Sequence, residues 1–166
     1  MDDLISKEHQ NTLTRYAARF WAGEAEIAHK FFSEARTPDE HLVWLRVQAY
    51  KELQPREDGI ILRNIEQLAK NYPSLEKGVS RADFLYNIQF LEEEFRHYVV
   101  FADVIDYITG GNLTTEELAT YDIEGERKLR QVRRECYETY GNLGRFASSF
   151  CEGGGASIFY EGMQIS

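Results

Sequence analysis

The stretch "FLEEEFRHYVVFADVIDYITGG", Phe90 to Gly111, governs how the rest of the chain is read. Its apolar residues recur at helical rather than strand spacing, it holds no proline, and it stops at Thr109-Gly110-Gly111, where glycine supplies the left-handed geometry that ends a helix. Traced backwards, the pattern reaches Ser80, a natural N-cap, so the spacing predicts a helix over about Ser80 to Thr109. At 100° per residue, with Phe84 at zero, an apolar sector runs from about 20° (Phe95) through about 320° (Tyr98) to about 260° (Phe101). Glu94 falls near 280° and His97 near 220° on that side, beside Phe90 and Phe101, whereas Glu92, Glu93 and Arg96 occupy about 80° to 180°. Of the three consecutive acids, then, only Glu94 shares the aromatic side of the helix with His97.

Working outward, the same periodicity recurs on both sides. A first helix is expected over about Lys7 to Ala35, with Leu13, Ala17, Phe20, Ile27, Ala28 and Phe31 on one stripe. A second opens at "TPDE", where Thr37 can cap, Pro38 suits the first helical position and Glu40 completes a capping box; Pro55 ends it near Gln54. A continuation from about Arg56 to Tyr72 carries Ile61, Ile65, Leu68 and Tyr72, and "YPSLEKGVS" is the turn before the helix first described. A last helical segment starts at "LTTEE", with Thr114 as cap, and continues past a break near Tyr140 to Gly144 into the C-terminal residues. With three prolines and little β-type alternation, the fold class expected is all-α. A helix as long as the one from Ser80 extends about 45 Å at 1.5 Å per residue, which suits an antiparallel bundle.

The bulk numbers fit one soluble domain of 166 residues: 43% hydrophobic and 28% charged is ordinary for a folded protein, and ten Phe, ten Tyr and two Trp supply area to bury. A net charge of −9 argues against nucleic acid and against an anionic membrane as partners, since both would repel the chain. The basic strip "RKLRQVRR", Arg127 to Arg134, is expected to be a solvated helix face pairing with Glu124, Glu126, Glu135 and Glu138. Cys136 and Cys151 make neither a disulfide framework nor a zinc cluster. The acidic start "MDDLISKEHQ" is unlike a targeting peptide and no apolar run is long enough to span a membrane, so a cytoplasmic location is expected.

Two further acids fall among apolar side chains. With Leu13 at zero, Glu24 lies near 20°, inside the stripe of the first helix, whereas Glu26 and His29 of the same helix, spaced like Glu94 and His97, fall near 220° and 160° and are expected to face water. In the last segment, with Leu143 at zero, Glu161 returns to the stripe of Phe146, Ala147, Phe150 and Ile158, while Glu152 falls opposite unless "EGGG" bulges the helix. A buried carboxylate without a partner costs several kcal/mol or a large pKa shift, about 1.4 kcal/mol per unit. A pair of divalent cations is the economical shared partner, because carboxylates bridge cations while histidine supplies a neutral nitrogen.

Glu24, Glu94-x-x-His97 and Glu161 (or Glu152) on successive helices resemble the ligand pattern of the ferritin-like di-iron carboxylate proteins, a superfamily that includes ferritins, rubrerythrins, ribonucleotide reductase small subunits and bacterial multicomponent monooxygenases. The resemblance implies an antiparallel ferritin-like helical bundle, incomplete at its C-terminal end, with residues 38 to 72 as an extra helical layer. It implies Glu24 as a terminal ligand, Glu94 as a bridge, His97 as the nitrogen ligand and Glu161 as a ligand of the second half. The family's second Glu-x-x-His, expected about 30 residues after the glutamate of the later helix, is not found in this sequence, so either a further stretch or another chain supplies it, or no complete di-metal site forms. Glu57 is the fallback first ligand.

What the resemblance implies for function is a non-haem di-iron oxidoreductase that activates O₂ against a small organic substrate. Its cofactor is two iron ions, with manganese as the alternative. Its macromolecular partners would be a second copy of the chain or an electron-donor protein. Two other readings stay open: an iron-oxidising or iron-handling protein without an organic substrate, and a metal-free helical interaction module. Phosphate-loop, Ser/His and dithiol chemistry find no support, since "EGGG" lacks the following Lys and Ser148 and Ser149 have no nearby histidine in the sequence.

Overall fold

The computed structural model describes residues 2–56, 59–141, 143, 144 and 147, with side chains from residue 7 onward. The described residues form six α-helices: α1 (Asp2–Ser33), α2 (Pro38–Leu53), α3 (Ile60–Asn71), α4 (Arg81–Thr109), α5 (Thr115–Ala119) and α6 (Glu124–Tyr140). No strand occurs among them, and one isolated bridge, Leu75 to Val79, closes the turn before α4. The protein is therefore all-helical over the described residues. No helix there is long and apolar enough to cross a membrane.

Local chemistry sets most of the helix boundaries. At α2, Thr37 Oγ1 accepts from the Glu40 amide at 3.3 Å and the Glu40 carboxylate accepts from the Thr37 amide at 2.8 Å, so two amides at the helix start are satisfied reciprocally. Ser80 and Thr114 each accept one amide in the same way, from Asp83 at 3.0 Å and Glu117 at 3.1 Å. Gly110 ends α4 at φ +67°, where a side chain would be strained. Gly59 precedes α3, and a Cβ there would run into the Gln54 carbonyl, so only glycine lets the chain turn back this tightly.

One boundary departs from the pattern. The segment expected to run unbroken from Thr114 stops at Ala119 and restarts at Glu124. The Thr120 hydroxyl donates to the Glu117 carbonyl at 2.7 Å, a local bond that competes with helix propagation. The turn is also held from outside: the Asp122 carboxylate accepts from Arg56 at 2.5 Å, and Arg127 donates to the Asp122 carbonyl.

By its internal contacts the chain divides into two compact units. One contains α1 and α6 from Lys128 onward; the other is Thr37–Arg127, with α2 to α5. In the second unit α4 packs against α2 and α3, and α5 packs against α2. Trp44 meets Phe101 while Glu52 meets His97, so residue numbers rise on α2 as they fall on α4 and the two helices run antiparallel. Ala49, Tyr50, Ile105 and Leu118 are fully buried between α2, α4 and α5, with Leu45, Leu53, Tyr98, Phe101, Leu113 and Tyr121 packed around them. Burying a side chain of this size contributes about 1.5–3 kcal/mol. Arg46 adds a partly buried ion pair to Glu117 at 2.7 Å, and its guanidinium lies over the Tyr121 ring. The Leu113 amide donates to the Asp106 carboxylate at 2.6 Å, closing the turn after α4.

In the first unit, burial on α1 falls on Ala17 and Ala28, whereas Leu13, Phe20 and Ile27, large members of the expected stripe, are exposed. The two alanines are three turns apart, so the buried line is rotated about 50° from Leu13 at 100° per residue. Glu24 is half-buried near that line.

Candidate metal centre

The site rises from the register of α2 against α4. On α4, Ile105 is fully buried and Tyr98 and Phe101 pack onto the core; Glu94 shares their side of the helix and is partly buried. His97 lies a further step around the cylinder, at the rim of the seam. Across the seam, α2 presents Glu52, and His97 Nδ1 stands 3.4 Å from Glu52 Oε2. Glu52, Glu94 and His97 each offer one ligand atom, all within 4.8 Å of one another, and they form the one such cluster of His, Cys or carboxylates among the described residues. The Glu52 side chain is 24% exposed and that of His97 57% exposed, so the cluster is closed on the core side and open on the His97 side.

These distances suit a cation. Two donors each about 2.1 Å from one ion are at most about 4.2 Å apart. The His97–Glu52 separation of 3.4 Å meets that bound, and the Glu94 ligand atom lies within 4.8 Å of both. Two carboxylates and one imidazole are donors for iron, manganese or zinc rather than for soft metals, and two anionic ligands neutralise a divalent ion.

The surroundings separate the three acids of "EEE" as their angles require. Glu92 and Glu93 are exposed, and Glu92 pairs with Arg96 one turn later, which raises the Arg96 pKa first through that hydrogen bond and then through the charge. Tyr98, one turn after Glu94, has its phenol pKa raised, chiefly by burial and then by the charge of Asp106. Its ring lies against Phe95, with centroids 5.6 Å apart.

Of the other sequence candidates, Glu24 belongs to α1 in the first unit, and Glu57, Glu152 and Glu161 lie outside the described residues. Glu26 and His29 are both exposed. Arg127 and Lys128 of the basic strip are exposed, while Arg130 and Arg133 are partly covered.

The residue missed in the sequence is Glu52. Residues 38 to 72 stand as an extra layer in that reading, yet the angular test applied to α4 also singles out Glu52 on α2. Seven residues after Leu45 and three after Ala49, it falls about 20° from Leu45 on the side that meets α4. No protein family, curated protein or solved structure matches the chain.

Proposed function

We propose that the protein is a non-haem iron oxidoreductase on a ferritin-like helical bundle, activating O₂ against a small organic substrate, with Glu52, Glu94 and His97 as protein ligands. The observation that carries this reading is a glutamate on one helix set against Glu-x-x-His on its antiparallel neighbour. That is half of the ligand set by which four-helix carboxylate proteins hold two metal ions in their core. Three protein donors would leave coordination positions open on an ion held there, and iron in that place would supply the redox chemistry that O₂ activation needs. The chain's own residues fix the donors: α2 and α4 are held in register by the Tyr50–Ile105–Leu118 core, and Glu52 and Glu94 are both partly buried beside it. A second cation would need carboxylates beyond these three ligands.

Anaerobic titration with Fe(II), followed by admission of O₂, tests this. The reading expects at least about one iron bound per chain and O₂ uptake faster than the same Fe(II) gives without protein, both reduced by Glu94→Ala. A second reading, a metal-free helical module, is favoured by the 3.4 Å His97–Glu52 distance, which a simple imidazolium–carboxylate pair also produces. Iron binding below about one per chain and unchanged by Glu94→Ala decides for the module.

A further inference from the structure

Resting on the cation site just proposed, we infer that its open rim seats a small aromatic oxyanion, with the charged head toward the metal and Lys51 and the ring against Trp44 and Phe101.

The cluster opens on the side of His97, so whatever enters a remaining coordination position comes over that rim. On α4 two aromatic residues share the side of the helix with Glu94 and His97: Phe90 lies two turns before His97 and Phe101 one turn after it, both partly exposed. On α2 the facing row carries Trp44, Gln48 and Lys51; Gln48 is one turn before Glu52, and Lys51 is two turns after Trp44. Trp44 and Phe101 meet edge to face, with centroids 6.2 Å apart and planes at 75°, so together they form one aromatic wall spanning both helices, one turn from His97 along α4 and two turns from Glu52 along α2. Gln48 and Lys51 are partly covered, and neither side chain has a hydrogen-bond or ion-pair partner among the described residues.

Each feature selects part of a ligand. A wall of two rings takes a flat apolar body, by stacking or edge contact. A divalent ion already neutralised by two carboxylates gains more from an anionic ligand where a further positive charge stands on the same side, and Lys51, on the row of Trp44 at the level of Glu52 along α2, would supply it. Gln48, one turn before Glu52 and one turn after Trp44 along α2, carries an amide that can fix the orientation of a second oxygen. A neutral hydrocarbon would leave Lys51 and Gln48 unused, and a ringless anion would leave the Trp44–Phe101 wall unused. Phenolates and aromatic carboxylates use all of them.

The test uses the full chain loaded with Co(II), whose absorption reports changes in the metal's ligands. The probes are 4-nitrocatechol for the phenolate head, 4-nitrobenzoate for the carboxylate head, and oxalate as an anion without a ring. Expected is binding of at least one aromatic probe with a shifted cobalt spectrum, weakened about tenfold in Trp44→Leu and in Phe101→Leu while oxalate binding changes by less than about twofold. The preferred aromatic probe names the head group. Lys51→Gln weakens all anionic probes. Leucine keeps apolar volume at both positions, and retained Co(II) affinity with unchanged helical circular dichroism shows that the site is intact. The inference is overturned if Co(II) binds but neither aromatic probe does, or if both leucine variants bind the aromatic probes as the wild type does. It is overturned together with the proposed function if the wild-type chain takes up no Co(II).

Discussion

Glu-x-x-His occurs twice in this chain, at Glu26 and His29 on α1 and at Glu94 and His97 on α4, and the two copies fold into different surroundings. In both, a three-residue spacing puts carboxylate and imidazole on the same side of a helix. On α1 both residues face water. On α4 the glutamate is drawn into the seam by its position beside Ile105, Tyr98 and Phe101, and a second carboxylate, Glu52, comes within 3.4 Å of the imidazole from the neighbouring helix. The difference teaches that the motif gains chemical meaning from the helix across from it, because one residue pair supplies two donors and a cation held by protein needs at least a third.

The contrast can be broken or sharpened by substitution. The largest effect is expected where the α4 copy is anchored. Tyr50→Ala removes a fully buried ring from the α2–α4–α5 core and should cost about 3–5 kcal/mol in denaturant unfolding. Cation affinity should fall with it, since Glu52 shares the helix. Next, His97→Ala should lower Co(II) affinity by about two orders of magnitude, or about 2.7 kcal/mol, in calorimetric titration, while His29→Ala changes it by less than about twofold. Equal losses from both histidines would erase the distinction between the two motifs. A smaller effect, about 1 kcal/mol of stability, is expected from Thr37→Ala, which removes the cap of α2; cation affinity should stay within about twofold, because the cap lies four turns from Glu52. Smallest of all, Glu92→Ala and Glu93→Ala should leave cation affinity within about twofold, although they flank Glu94 in sequence.

Much of this architecture could be read from the residues alone. Thr37, Ser80, Thr114 and Gly110 mark helix ends because their side chains, or the lack of one, act within a few residues of themselves. The outward turn of Glu92 and Glu93 follows from helix geometry in the same way. The break at Thr120 to Ile123 was not legible in that sense, because Arg56 is sixty-six residues from Asp122 and helps hold the turn by a tertiary contact. On α1 the expected stripe holds Ala17 and Ala28 together with Leu13, Phe20 and Ile27, and burial falls on its two alanines while these three large members are exposed, a choice made by close packing rather than by hydrophobicity. Glu52 is the instructive case at the site. Its angle on α2 was available, but which helix faces α4 depends on the register of the Tyr50–Ile105–Leu118 core, a property of the folded unit rather than of either helix.

Everything proposed for the site depends on Glu52 completing it with Glu94 and His97. Co(II) titration of the wild-type chain beside Glu52→Ala and Glu26→Ala tests it most directly. Expected is about one tightly bound ion per chain in the wild type and in Glu26→Ala, and an affinity at least about tenfold weaker in Glu52→Ala with helical content unchanged. Co(II) bound equally well by all three proteins, or by none of them, would contradict it.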